Sequence, residues 1–172
     1  EVRSMEFRKT EEADEAAVMA MIDEAKAYFR RQGINQWQDG YPNPQTLRQD
    51  NAAGVGHCLA ENGRPVAYGA IIFGTEPTYA RLDGGRWLQN GPYGVVHRTV
   101  VQESQKGKSL AGRLLAEAEA MARARGIADL RVDTHRDNRS MRRMLEKNGF
   151  TCVGTIYLEN GDPRVAYEKV LP

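Results

Sequence analysis

A β-branched run, Val95–Val101, leads through a short glycine-and-lysine loop into an amphipathic helix and then into a further strand, Asp129–Thr134. Two strands joined by a helical crossover lie parallel, and parallel strands need helices over their faces. Hairpins frame this unit. His57–Glu61 and Pro65–Phe73 flank Asn62-Gly63, the strongest short-range hairpin turn signal, and Phe150–Leu158 and Val165–Leu171 close through Asn160-Gly161-Asp162-Pro163. Crossovers and hairpins in one chain call for a mixed α/β sheet flanked by helices.

The remaining elements fall into place by periodicity. Met5–Lys9 reads as a strand, and Thr10, followed by an acid-rich turn, as the cap of a helix running to about Arg31. Val18, Met21, Ile22, Ala25 and Phe29 form its apolar stripe. Gly33 ends it, a breaker-rich loop carries Trp37 and Tyr41, and a short helix follows Pro44. After Val101, residues 102–108 form a loop into a helix whose face is Leu110, Leu114, Ala118 and Met121. Asn138–Asn148 is a helix ended by Gly149. The expected order is β-α-α-β-β-β-α-β-α-β-β.

At 172 residues the chain has the length of one domain, expected over 5–172, with Glu1–Ser4 read as an expression scar. A domain of this size buries roughly 70 % of its unfolded surface and needs no staple. The expectation for Cys58 and Cys152 is therefore two buried free thiols in a cytoplasmic protein. His57, His97 and His135 show no ligand spacing, so no metal is expected. The longest apolar run, near Ala67–Phe73, is too short for a membrane span, and no signal peptide is evident. A net charge of +1 argues against a nucleic-acid or membrane-surface partner. The charge is uneven, however: residues 1–50 carry 7 basic and 10 acidic side chains, and residues 98–147 carry 12 and 7. A local positive field suits a small polyanion.

The basic block holds Lys106-Gly107-Lys108-Ser109-Leu110-Ala111, a tight loop at a helix N-terminus. Such a turn leaves backbone N–H groups unpaired at the positive end of the helix, which together form a phosphate site. Gly107-Lys108-Ser109 also ends a P-loop signature, but that motif requires glycine where the chain has Gln102. The P-loop reading is rejected.

Along nearly its whole length the chain resembles the GNAT superfamily of acetyl-CoA-dependent N-acetyltransferases. The loop is similar to that family's Arg/Gln-x-x-Gly-x-Gly/Ala motif, with Lys106, Ser109 and Ala111 at its three fixed positions. Asp133–Asn138, Met141 and Glu146-Lys147-Asn148-Gly149-Phe150 resemble its Asn-x-x-Ala…Lys-x-Gly-Phe block. Lys106 and Ser109 depart from the usual Arg/Gln and Gly, and Leu145 stands where many relatives place the tyrosine that protonates the leaving thiolate.

The resemblance implies acetyl transfer from acetyl-CoA to a primary amine by direct attack, with no metal. It places the pyrophosphate on Lys106, Gly107, Lys108, Ser109, Leu110 and Ala111. It places the pantetheine arm along Thr99, Val100 and Val101, whose amides polarise the thioester, and a further cofactor contact at Asn138. His97 has the strand parity of the family's base, sharing a face with residues 95, 99 and 101; His135 is a weaker candidate. Tyr157 and Tyr93 are alternatives to water as the acid. Trp37, Trp87 and Tyr93, on breaker-rich segments with Tyr41 and Tyr79, are candidate lining for a small-molecule or peptide amine acceptor, although Trp37 and Trp87 also suit pinning their loops to the core. Relatives are often homodimers. A non-catalytic acyl-CoA sensor of the same fold is the alternative.

Overall fold

The computed structural model describes residues 5–172; the proposed scar at residues 1–4 lies outside them. The elements are β1 (Met5–Lys9), α1 (Glu15–Arg31), α2 (Pro44–Ala53), β2 (Gly56–Glu61), β3 (Arg64–Phe73), β4 (Gly94–Val101), α3 (Leu110–Ala124), β5 (Asp129–Thr134), α4 (Arg139–Lys147), β6 (Thr151–Tyr157) and β7 (Pro163–Val170). This is the expected order. The strands form a seven-stranded mixed sheet in the order β1-β2-β3-β4-β5-β7-β6. β4 and β5 are parallel, and β1 with β2, β2 with β3, β5 with β7 and β6 with β7 are antiparallel.

The chain forms two compact units, one comprising residues up to Ile71 with Arg98–Leu114, the other Ile72–His97 with Leu115–Pro172. In the first, the α1 stripe Val18, Met21 and Ile22 is buried with Leu47, Tyr68 and Val100. A second cluster joins Leu59, Val66 and Ala67 to Leu110 and Leu114, so the start of α3 is anchored by two buried leucines. Each is worth roughly 2 kcal/mol of burial, enough to hold the loop ahead of it in place. In the second unit Tyr79, Val95, Val153, Ile156 and Ala166 form the core, with Trp87 and Tyr93 packed against it.

The β2–β3 hairpin turns on Asn62 and Gly63 at φ 53° and 77°. Both central residues have positive φ, as the turn that matches strand twist demands.

Three local expectations are corrected. Thr10 is not the cap of α1: a 3₁₀ turn, Glu12–Asp14, intervenes, with Glu11 at its N-cap and Asp14 accepting from Glu11 N–H at 2.8 Å. Thr10 instead donates to Asn51 Oδ1. The buried face of α3 continues through Leu115 and Ala122, leaving Met121 half-buried. Cys58 is buried but Cys152 is exposed. β6 ends the sheet, its register against β7 shifts between Cys152 and Gly154, and on its other side Thr155 bridges to Asp83. Among the described residues no helix is long and apolar enough to cross a membrane, and no cluster of His, Cys, Asp and Glu is suited to a metal ion.

Candidate active site

In the first unit the turn between β4 and α3 is built in three steps. Gln102 N–H donates to Val66 O at 2.9 Å, tying the strand end to β3. A 3₁₀ turn, Glu103–Gln105, follows, and Lys106 N–H closes it onto Glu103 O. The chain then enters the left-handed region twice, at Gly107 (φ 85°) and Ser109 (φ 58°). A Cβ on Gly107 would meet nothing within 4 Å, so this face of the turn is open.

The first rung of α3 is Arg113 N–H to Ser109 O at 3.1 Å. The amides of Leu110, Ala111 and Gly112 therefore precede the helical ladder. The lysines have local partners: Lys108 Nζ donates to Gln105 Oε1 at 3.0 Å, and Lys106 Nζ lies 4.4 Å from the centroid of the Tyr28 ring. An open turn, a helix N-terminus and two ammonium groups fit a diphosphate.

β4 pairs with β5 at Gly94–Leu130 and Val95–Arg131, and there the ladder stops. Arg98 then adopts φ 56°. This left-handed residue breaks the period-two alternation, so residues 95, 97, 99 and 101 do not share one face as expected. Beyond it, Thr99 Oγ1 is among the few buried side-chain oxygens of the described residues with no hydrogen-bond partner. A buried hydroxyl without a partner costs free energy unless a ligand group meets it. The segment thus fits a polar, strand-like arm.

Arg98 is held firmly. Its Nε and Nη2 donate to Asp50 Oδ2 and Oδ1 at 3.0 and 2.6 Å, and Nη1 donates to Tyr41 Oη at 2.8 Å. Tyr68 O–H donates to Asp50 Oδ2 at 2.5 Å. Trp37 packs on the α1 core, edge-on to Phe29 with centroids 5.7 Å apart.

In the second unit His97 Nε2 stands 3.2 Å from Glu76 Oε2. A carboxylate only accepts, so Nε2 carries a hydrogen, and in the neutral ring the lone pair lies on Nδ1. The hydrogen bond to His97 outweighs burial and brings the Glu76 carboxyl down to about 2, so it is ionised throughout the neutral range. Glu76 is itself fixed: its side chain accepts from Thr78 Oγ1 at 2.9 Å, and its own N–H donates to Tyr93 Oη at 2.8 Å. Tyr79 stacks obliquely 6.3 Å from the His97 ring and donates to Asp133 Oδ2 at 2.8 Å.

The structure thus gathers Tyr93, Glu76 and His97. Trp87 donates from Nε1 to Tyr79 O, and with Tyr93 it sandwiches the Arg131 guanidinium, each centroid 4.0 Å away. Tyr157 is elsewhere, with Arg81 stacked 4.3 Å over its ring. His135 acts as a turn residue, its Nδ1 accepting from Asp137 N–H at 3.0 Å. Asn138 is buried at the N-cap of α4, its Oδ1 accepting from Met141 N–H at 3.2 Å. Leu145 is wholly buried.

The family model for the acetyltransferase (GNAT) family matches residues 18–150, more than half of the chain. The chain belongs to this family. GNAT relatives of known structure agree with the fold throughout. An acetyltransferase of the GNAT family from Streptococcus agalactiae is 30% identical, with a TM-score of 0.87 over 98% of this chain and 96% of that one. The yncA protein of Salmonella typhimurium, solved with its cofactor acetyl-CoA, is 20% identical at a TM-score of 0.67, covering 98% and 94%. The NatC complex bound to Gag peptide and CoA supplies a chain 12% identical at a TM-score of 0.70, covering 98% and 99%. No curated protein sequence matches significantly. GNAT membership makes the chain an acyltransferase by family.

Glu76, Asp50 and Arg98 were not singled out from sequence. Glu76 lies 21 residues from His97, and Asp50 lies 48 from Arg98. No periodicity links positions so far apart; only the fold brings them together.

Proposed function

We propose that this GNAT protein, as a single domain over 5–172, moves an acetyl group from acetyl-CoA to a primary amine by direct attack. Acetyl-CoA supplies the activated acyl carbon. The supporting observation is the turn at 106–111, with its two left-handed residues and the helix amides ahead of the α3 ladder.

The amides and lysines of Lys106–Ala111 hold the pyrophosphate. The main chain of Thr99–Val101, freed from β5, pairs with the pantetheine arm, and an N–H of Val100 or Val101 polarises the thioester carbonyl. Such a donor lowers the barrier by about 3 kcal/mol. Asn138, whose oxygen caps α4, adds a cofactor contact at the mouth of that helix.

His97 takes the proton from the attacking ammonium at Nδ1, with Glu76 on Nε2 stabilising the imidazolium that results. Tyr93, bonded to the Glu76 main chain, lies beside that pair. With Leu145 buried, the thiolate takes its proton from water or from Tyr157 or Tyr93. Trp37 and Trp87 shape the acceptor loops by packing. The acceptor is a small molecule or peptide amine, and the free thiol of buried Cys58 suits a cytoplasmic setting.

Release of CoA thiol over a panel of amines tests the proposal. The expected result is turnover with at least one amine and strong loss in His97→Ala. Acetyl-CoA binding without turnover on any amine would identify a sensor; binding of ATP and not acetyl-CoA would remove the proposal.

A further inference from the structure

Arg98 is the only residue of β4 in the left-handed region, and it carries a full side chain there. Glycine tolerates this conformation freely; an L-residue with a Cβ does not. Such backbone persists where the surroundings over-determine it. Here they do. The guanidinium forms both bonds of a fork with Asp50, a third with Tyr41, and Tyr68 completes the carboxylate. The side chains of Arg98 and Asp50 are 12% and 6% exposed, so the pair is largely shielded from water.

We propose that Asp50 and Arg98 are positioning residues: their ion pair clamps the left-handed turn in β4 and thereby aims the amides of Thr99–Val101 at acetyl-CoA. The inference rests on the reading of that segment as the thioester site. Asp50 belongs to α2 and Tyr68 to β3, so the clamp fastens the kink to two elements that are themselves packed in the core. Three of the five guanidinium N–H donors are committed within the clamp. The Nε and Nη2 donors face Asp50 and Nη1 faces Tyr41.

Glycine separates the two roles. In an Asp50→Ala background both Arg98→Ala and Arg98→Gly lack the charge pair, but only glycine keeps the left-handed backbone without it. Acetyl-CoA affinity by calorimetry and steady-state kcat and KM are measured for both doubles and the parent. Asp50→Ala/Arg98→Ala is expected to lose about tenfold in acetyl-CoA affinity, with a further fall in kcat, and Asp50→Ala/Arg98→Gly to recover most of both. Asp50→Asn, which keeps an acceptor for the guanidinium and the volume of the site, is expected to lose acetyl-CoA affinity to a smaller extent. Equal impairment of the alanine and glycine doubles overturns the clamp, as does an Asp50→Asn protein indistinguishable from the parent. A parent that binds no acetyl-CoA at all would instead overturn the site assignment itself.

Discussion

At the scale of single residues the site depends on hydrogen-bond direction. His97 presents Nδ1 because Glu76 occupies Nε2. His97→Ala should lower kcat/KM by about 10²–10⁴-fold at neutral pH, with kcat carrying most of the loss, in the thiol-release assay. An unchanged rate would leave the proton to bulk water. Glu76→Gln should give a smaller loss, because the amide still holds the ring without stabilising its charge. The same pair bears on stability. The folded carboxyl of Glu76 titrates near 2, below its ordinary value of 4.5. Its contribution is therefore present above pH 4.5 and lost as pH falls toward 2. Acid melts should show Glu76→Gln losing less stability than the parent across that window. Ser109 gives a different test. It sits at φ 58° where the family motif has glycine, so Ser109→Gly should raise stability by about 1 kcal/mol, read as a higher melting temperature.

Among the elements, α3 and α4 begin differently. α3 starts on an open turn, whereas Asn138 spends its side-chain oxygen on the first turn of α4. Asn138→Ala should cost about 1 kcal/mol in urea unfolding. Replacing Ala111 with Leu should weaken acetyl-CoA binding and leave unfolding unchanged, since bulk at the second residue of α3 crowds the phosphate approach. Full affinity would place the diphosphate elsewhere. Element identity was largely legible in the sequence: the β-branched run of β4, the α1 stripe and the Asn62-Gly63 turn each rest on local spacing. The interruption inside β4 was not legible. Arg98 is not a residue type that announces positive φ, and the pair that holds it there joins positions 48 apart.

For the molecule as a whole, family membership and fold were readable because the motifs sit on successive elements. The acceptor side was harder to read, since Glu76, Tyr79 and Tyr93 lie in the long irregular connection between β3 and β4, where no period applies. The buried acid cluster of the second unit was also invisible. Arg131 Nε donates to Asp129 and Glu168 at 3.0 and 3.3 Å, and Asp129 Oδ1 lacks a hydrogen-bond partner. Burial, together with the neighbouring Glu168, raises the Asp129 carboxyl to about 7 from 3.8. An acid whose folded value is raised binds its proton more tightly when folded, so it costs stability as pH rises from about 4 to 7. Over that range the urea midpoint of Asp129→Asn should gain progressively on that of the parent. A parent–variant difference that does not change with pH would refute the assignment.

Cys58 is wholly buried, and burial pushes its thiol up to about 11, whereas Cys152, on β6, is exposed. The folded protein therefore offers a maleimide one fast sulfhydryl. That gives a site-specific handle for a fluorophore without mutagenesis, and Cys152→Ser removes the background from any colorimetric measure of released coenzyme.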